Sequence, residues 1–217
     1  MASLVPSLLG FAGHAVALYG KAINVPDSLS HAVPTKYLGG AVWLTVQTNV
    51  VCFFYYAAAT ASCVVRSEAL ADLVAHLFPL AFALAFVLTI LYYGLDHFNP
   101  ESVRKRKLWS ENGYPQIEMI SHLEHASAAP LALLYAFSLR LPSGGAEPSV
   151  GPLLTFLAWY VAMSIANRMA TGEWLYPIVE DAHKAVGWLG VLLFFATISG
   201  LCLASGLLGL RIIVDPS

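Results

Sequence analysis

Long apolar runs dominate this sequence, and they constrain its fold more than any other feature. A transmembrane α-helix needs about 20 predominantly apolar residues, and runs near that length recur along the whole chain. Backbone groups in lipid must pair within their own segment, and the alternation typical of membrane strands is not visible. We therefore predict an all-α polytopic membrane protein, a bundle of six transmembrane helices forming one domain over residues 1–217. The predicted spans cover residues 4–20, 37–65, 73–95, 118–139, 150–170 and 184–212.

The composition agrees with a membrane location. The chain is 58% hydrophobic and 11% charged, with a mean hydropathy of +0.69, whereas soluble domains carry about 25% charged residues. A soluble enzyme is therefore excluded. The net charge of −2 provides no general attraction to nucleic acid, so we expect no nucleic-acid partner. The three cysteines lie scattered in apolar runs and indicate neither a disulfide framework nor a thiolate metal site.

Basic residues in the loops predict the orientation in the membrane, because cytoplasmic loops are enriched in Lys and Arg. The first, third and fifth loops together hold seven basic residues, and the opposite side holds three. We therefore predict that the odd-numbered loops are cytoplasmic, in an endomembrane such as the endoplasmic reticulum or in the plasma membrane. The seven residues are Lys21, Lys36, Arg104, Lys105, Arg106, Lys107 and Lys184.

Polar side chains form a stripe on each of two predicted spans. Strongly polar and ionisable groups are costly in lipid, so their presence within a span indicates a functional site by default. At 100° per residue, the stripes consist of Thr45, Thr48 and Asn49 on the second span and of Glu118, His122 and His125 on the fourth. Each stripe is expected to face a partner inside the bundle.

The two stripes are predicted to meet. Thr45 and His125 each lie roughly 10 to 12 Å along their predicted helices, at 1.5 Å per residue, and both helices enter from the odd-loop side. Arg168 at the end of the fifth span and His183 at the start of the sixth belong to the same half of the membrane. We therefore expect one polar pocket to collect these side chains.

A threonine beside a histidine suits nucleophilic acyl transfer. A threonine hydroxyl is scarcely ionised at neutral pH, so it attacks an ester only when a base removes its proton. Histidine can take that proton and return it to the leaving alcohol. Spacing alone leaves a structural role open, because membrane threonines often bond to their own backbone and histidines often pack as hydrogen-bonded polar groups.

The sequence resembles the androgen-induced protein family, which includes the androgen-dependent regulator of tissue-factor-pathway inhibitor. Four groups of residues carry the resemblance, in order, over about residues 20 to 180: Lys21-Ala22-Ile23 with Pro26, Leu44-Thr45, His122 and His125 with Pro130, and Thr171-Gly172 with Trp174-Leu175-Tyr176-Pro177. The resemblance implies a six-span membrane hydrolase that cleaves fatty acid esters of hydroxy fatty acids and releases a fatty acid. It implies no cofactor, and it leaves protein partners unknown. We also expect no metal, because a threonine–histidine mechanism supplies both nucleophile and base without a Lewis acid.

Two residues of this chain match the family's catalytic pair. The resemblance implies that Thr45 is the nucleophile and that His125 is the catalytic histidine. The surrounding residues differ from the family pattern, because family members often have Asn-His-Gly before the second histidine and Thr after it. Here the segment reads Ser121-His122-Leu123-Glu124-His125-Ala126. The groups that orient the histidine or hold the oxyanion are therefore expected to differ.

Five further residues are candidates for substrate or oxyanion binding, each with a structural alternative. Thr48 is a rival nucleophile one turn from Thr45. Asn49 is a candidate oxyanion donor or an interhelical contact. His122 either orients the catalytic histidine or a substrate carboxylate, or makes a structural hydrogen bond. Arg168, with His183 nearby, either binds a fatty-acid carboxylate or extends to the interface.

Two other functions remain open on the sequence. A metal- or haem-binding membrane protein is one, because Glu118, His122 and His125 share a helical face and neutral imidazoles bind zinc, iron and copper. A lipid or proton carrier that uses the same polar stripe without chemistry is the other. Neither carries a recognised signature, so ester hydrolysis is the function that we expect.

Overall fold

The computed structural model describes residues 3–23, 39–139 and 147–214. The structure is 87% helix, without strands among the described residues, so the predicted all-α class is confirmed. Residues 37 and 38 of the predicted second span lie outside the described residues, as do Lys36 and Arg140 of the orientation argument and Pro26 of the family resemblance.

The helices follow the apolar runs, with short helices at several of their ends. In chain order they are α1 (Leu4–Ile23), a 3-10 turn (Gly39–Val42), α2 (Leu44–Val65), α3 (Glu68–Leu91) with a π-helical extension (Tyr92–His97), α4 (Pro100–Glu111), α5 (Ile117–His125), α6 (Ala128–Ser138), α7 (Gly151–Thr171), α8 (Pro177–Val186) and α9 (Trp188–Val214).

Four helical segments are long and apolar enough to cross a membrane: α2, α3 with its π-helical extension, α7 and α9. The apolar part of α1, Leu4–Gly20, is shorter than a full span. The predicted fourth span is divided between α5 and α6. The structure therefore supports an integral membrane protein, but it does not confirm the count of six continuous spans.

The α3 helix forms the centre of the packing. In its most apolar window 67% of the residues are buried, compared with 33% to 39% in the other three long helices. One apolar cluster packs α3 against α7 and α9. A second cluster joins α3 to α2 and α6, where the rings of Tyr55, Tyr56 and Tyr135 stand nearly perpendicular to one another. Edge-to-face contacts of this kind are favourable between aromatic rings.

The division of the predicted fourth span has a local cause in the sequence. Pro130 lacks a backbone N–H, and its ring collides with the carbonyl group four residues earlier in a continuous helix. That carbonyl belongs to Ala126, and the helix is interrupted there. The sequence predicts one span over residues 118–139, and the structure divides this segment into α5 and α6 at residues 126 and 127.

The end of α5 lies inside the protein, and each of its last four carbonyl groups accepts a hydrogen bond. Two donors come from the residues that directly follow α5. His122 O accepts a hydrogen bond from Ala126 N at 2.7 Å, and Leu123 O accepts one from the Ser127 hydroxyl at 2.6 Å. Other helices supply the remaining two donors. Glu124 O accepts from Asn49 Nδ2 of α2 at 3.0 Å, and His125 O accepts from the Thr89 hydroxyl of α3 at 2.5 Å.

Thr89 serves both sides of the interruption. Its hydroxyl oxygen also accepts from Ala129 N, in the first turn of α6, at 3.3 Å. Backbone groups at helix ends have no partner within the helix, and leaving them unpaired away from water is costly. Thr89 therefore holds the two half-helices against α3.

Replacing Thr89 with valine keeps the shape of the side chain but removes its hydroxyl. We expect the free energy of unfolding to fall by about 1 to 3 kcal/mol, because His125 O and Ala129 N lose a partner. In detergent this is measured as a fall of several degrees in the thermal midpoint. The matched control is Thr197→Val, since among the described residues the Thr197 hydroxyl bonds only to Leu193 O of its own helix. Equal midpoints for the two variants would contradict this role of Thr89.

Candidate active site

Thr45 and His125 lie in direct contact. The Thr45 hydroxyl oxygen is 3.1 Å from Nε2 of His125, and both side chains are partly buried. Thr45 is the second residue of α2, and His125 is the last residue of α5. The apolar pattern predicts that Thr45 lies about two turns along its helix, but α2 begins at Leu44, after the 3-10 turn and the extended Trp43.

The backbone of α5 determines which nitrogen of His125 carries the proton. Nδ1 lies 2.7 Å from the carbonyl oxygen of Ser121, one turn earlier. A carbonyl oxygen can only accept a hydrogen bond, so Nδ1 carries the proton in the neutral ring. Nε2 therefore holds a lone pair that can accept the proton of the Thr45 hydroxyl.

Tyr92 covers one face of the His125 ring. The two rings are stacked, with centroids 4.3 Å apart and an interplanar angle of 12°. Tyr92 is buried and opens the π-helical extension of α3. Such π-helical turns occur frequently at functional sites. Sequence reasoning missed both Tyr92 and Thr89, because helical periodicity assumes a regular helix and gives no information about contacts between helices.

Asn49 joins three helices next to the Thr45–His125 pair. Its amide nitrogen donates to Thr45 O at 2.9 Å and to Glu124 O at 3.0 Å, and its carbonyl oxygen lies 2.8 Å from Nδ1 of His14. Asn49 is only 2% exposed. Because both N–H groups are directed to backbone carbonyls, the contacts of Asn49 favour the interhelical role over oxyanion binding.

Thr48 is less accessible than Thr45. It has no exposed surface, and its hydroxyl has no hydrogen-bond partner among the described residues. A substrate cannot reach it without separation of the helices. Of the two threonines that the sequence offers as nucleophiles, Thr45 is the one that combines access with an adjacent base.

His122 faces a different set of side chains from His125. Its Nδ1 lies 3.1 Å from the Tyr93 hydroxyl, and its ring centroid is 4.8 Å from that of His97. Potential ligand atoms of His97, Glu118 and His122 all lie within 4.8 Å of one another. The ligand set suggested by the sequence was Glu118, His122 and His125, but the structure brings His97 to this group instead of His125.

Arg168 and His183 lie around Trp174, in the connection between α7 and α8. Arg168 donates to Glu180 at 3.3 Å and to the carbonyl oxygen of Gly172, and its guanidinium carbon is 5.9 Å from the Trp174 ring centroid. The His183 ring also packs against Trp174, at 5.9 Å. These contacts do not include Thr45 or His125, so the predicted single pocket is divided into separate groups.

The charge of Arg168 is balanced within that connection. Desolvation opposes ionisation of Glu180, but the hydrogen bond and the positive charge of Arg168, together with Lys184 and a backbone hydrogen bond from Trp174, outweigh it and lower the pKa of Glu180. The ion pair is therefore formed at neutral pH, and Arg168 already has a carboxylate partner within the protein. The contacts favour a structural role over binding of a fatty-acid carboxylate.

The same connection supports the start of α2. The Tyr176 hydroxyl accepts a hydrogen bond from Leu44 N at 3.1 Å, and it accepts another from the Tyr160 hydroxyl at 3.1 Å. Leu44 immediately precedes Thr45. The Thr171–Pro177 segment, quoted above for the family resemblance, thus positions the first turn of α2 and with it the Thr45 side chain.

Comparison with known families agrees with the resemblance seen in the sequence. The chain matches the family described as FAR-17a/AIG1-like protein over residues 13–213. Neither a curated protein nor a solved structure matches the chain.

Asn49→Ala separates the interhelical role of Asn49 from an oxyanion role. We expect the variant to lose several degrees of thermal midpoint in detergent, because the carbonyl groups of Thr45 and Glu124 lose a buried donor. Gln47→Ala is the control, since Gln47 contacts Ala41 O and Met163 on another face of α2. An unchanged midpoint with a large fall in turnover would instead assign Asn49 to the oxyanion.

Proposed function

Because the chain belongs to the FAR-17a/AIG1-like family, we propose that it is an intramembrane threonine hydrolase of lipid esters. The substrates that we propose are fatty acid esters of hydroxy fatty acids. Thr45 is the nucleophile and His125 the general base. The observation that carries the proposal is the 3.1 Å contact between the Thr45 hydroxyl and the unprotonated Nε2 of His125.

The reaction proceeds in two acyl transfers. Thr45 Oγ1 attacks the ester carbonyl carbon while Nε2 of His125 takes the hydroxyl proton. The tetrahedral intermediate collapses, the bond to the alcohol oxygen breaks, and His125 returns the proton to that oxygen. The hydroxy fatty acid leaves, and the fatty acyl group stays on Thr45. Water then attacks this ester with His125 as base, which releases the fatty acid and restores the Thr45 hydroxyl.

Two neighbours favour the cationic form that His125 adopts during each transfer. The Ser121 carbonyl accepts from Nδ1, and it continues to stabilise the ring when Nε2 is also protonated. The π face of Tyr92 lies parallel to the imidazole at 4.3 Å, and aromatic faces attract cations. Both contacts also fix the ring orientation, so Nε2 stays directed toward Thr45.

Backbone amide groups in the first turn of α2 can stabilise the oxyanion of the tetrahedral intermediate. The amide groups at a helix start have no acceptor within the helix, and the helix dipole adds partial positive charge there. Leu44 N donates to Tyr176 and Gln47 N to Trp43 O, so the amides of Thr45 and Val46 are the candidates. A nucleophile whose own backbone N–H helps to bind the oxyanion is a recurrent arrangement in acyl transfer.

A lipid ester suits this location. Each methylene of an acyl chain costs about 0.8 kcal/mol to hold in water, so such an ester partitions into the bilayer, where the long helices lie. Thr45 is the second residue of α2 and therefore lies near one end of that span, and both Thr45 and His125 are partly exposed. Water needed for deacylation can therefore reach the same pair from the membrane surface.

Removing the hydroxyl of Thr45 or of Thr48, the two candidate nucleophiles on α2, tests the nucleophile assignment. We expect Thr45→Val to lose at least about a thousandfold in turnover of a fatty acid ester of a hydroxy fatty acid, measured by release of the free fatty acid. His125→Gln is expected to lose activity comparably. Thr48→Val is the isosteric control and should retain most activity. Loss of activity in Thr48→Val alone would move the nucleophile by one turn.

Trapping the acyl-enzyme tests the covalent step. Wild-type protein quenched in acid during turnover should carry a mass increase equal to the acyl group minus one proton, and fragmentation should locate it on Thr45. Thr45→Val serves as the unlabelled control. An adduct on another residue, or one that persists in Thr45→Val, would contradict an acyl-threonine at this position.

A further inference from the structure

A second cluster of side chains lies beside the Thr45–His125 pair but does not include either residue. It consists of His97 at the end of the π-helical extension of α3 and of Glu118 and His122, one turn apart on α5. Contrary to the expectation from the sequence that the protein holds no metal, we propose that this His97–Glu118–His122 cluster binds a single zinc ion. The site is separate from the proposed hydrolysis, and the inference does not depend on that activity.

Potential ligand atoms of the three residues already lie within 4.8 Å of one another. Zinc binds imidazole nitrogen and carboxylate oxygen at about 2.0 to 2.2 Å, which places tetrahedral ligands roughly 3.3 to 3.5 Å apart. The ligand atoms must therefore approach by at most about 1.5 Å. The Glu118 side chain is 54% exposed, so it can make this adjustment by rotating its own bonds.

Tyrosine hydroxyls can orient both histidines for metal binding. Tyr92 OH lies 3.1 Å from Nδ1 of His97, and Tyr93 OH lies 3.1 Å from Nδ1 of His122. When each hydroxyl accepts a hydrogen bond from the Nδ1–H group, the lone pair of each ring is on Nε2. Metal-binding histidines commonly donate their second ring nitrogen to such a partner, which fixes the tautomer and the ring orientation.

Arg106 orients the carboxylate without making the cluster positive. Its Nε donates to Oε2 of Glu118 at 2.9 Å, which leaves Oε1 on the side of the His97 ring. Asp96 accepts from the same guanidinium at 3.0 Å, and His97 O accepts from it at 2.6 Å. One guanidinium and two carboxylates leave a net charge of minus one beside the two imidazole rings, which favours a divalent cation.

The ligand chemistry indicates zinc. Two imidazoles and one carboxylate with a fourth position open to water form a recurrent zinc ligand set, whereas calcium and magnesium prefer all-oxygen sites. The cluster adjoins α4, whose polar segment Arg104–Lys107 is unsuited to lipid. The site is therefore reached from water at the end of the bundle.

Zinc titration of the full-length protein in detergent, after removal of metals with a chelator, tests the inference. We expect saturable binding of one zinc ion per chain by calorimetry. Co²⁺ in its place should give the visible absorption of a tetrahedral site. His97→Ala, His122→Ala and Glu118→Gln should each weaken zinc binding at least tenfold, and Tyr93→Phe should weaken it less, because it removes only an orienting hydroxyl.

Two control variants test whether zinc binds at the His97–Glu118–His122 cluster and not elsewhere. His76→Ala, at a histidine of α3 outside the cluster, should bind zinc as the wild type does. His125→Ala should lose ester hydrolysis and retain zinc binding, so failure of one proposal is distinguishable from failure of the other. The inference is overturned if the wild type binds no zinc saturably, if His97→Ala and His122→Ala bind it normally while folded, or if binding is lost in His125→Ala.

Discussion

The buried end of α5 is the feature on which the candidate active site depends. A helix leaves four carbonyl groups unpaired at its C-terminus, and here Ala126, Ser127, Asn49 and Thr89 each supply one donor. Two of these donors come from α2 and α3, so the helix end is fixed to both. His125 is the last residue of this helix, and the hydrogen bonds that satisfy its backbone thereby determine where its ring lies.

The cost of burying polar groups connects the site with the rest of the bundle. An amide without a partner in an apolar interior costs several kcal/mol, so Asn49 is stable there only because Thr45 O, Glu124 O and His14 pair with it. These contacts link α1, α2 and α5 around the start of α2. The same interactions that stabilise the packing also hold the Thr45 hydroxyl beside His125.

The α5 helix contributes one histidine to each of two groups of side chains. His122 and His125 are three residues apart and share a helical face, yet His125 contacts Thr45 and Ser121, whereas His122 contacts Tyr93 and His97. Tyr92 adjoins both groups, because its ring stacks on His125 while its hydroxyl lies near His97. The π-helical turn of α3 makes this possible, since it directs successive aromatic residues toward α5.

Hydropathy and the family motifs by themselves determined the helical membrane class, the approximate spans and the candidate pair of Thr45 and His125. These features are local, because hydropathy and helical period are properties of neighbouring residues. The tertiary structure decided that Asn49 bridges three helices, that His97 joins His122, and that Thr89 and Tyr92 contact His125. Each of these contacts joins segments that are far apart in the chain. The contacts depend on how the irregular helix ends at Trp43, Tyr92 and Ala126 are packed, and the periodicity of the sequence does not encode that packing.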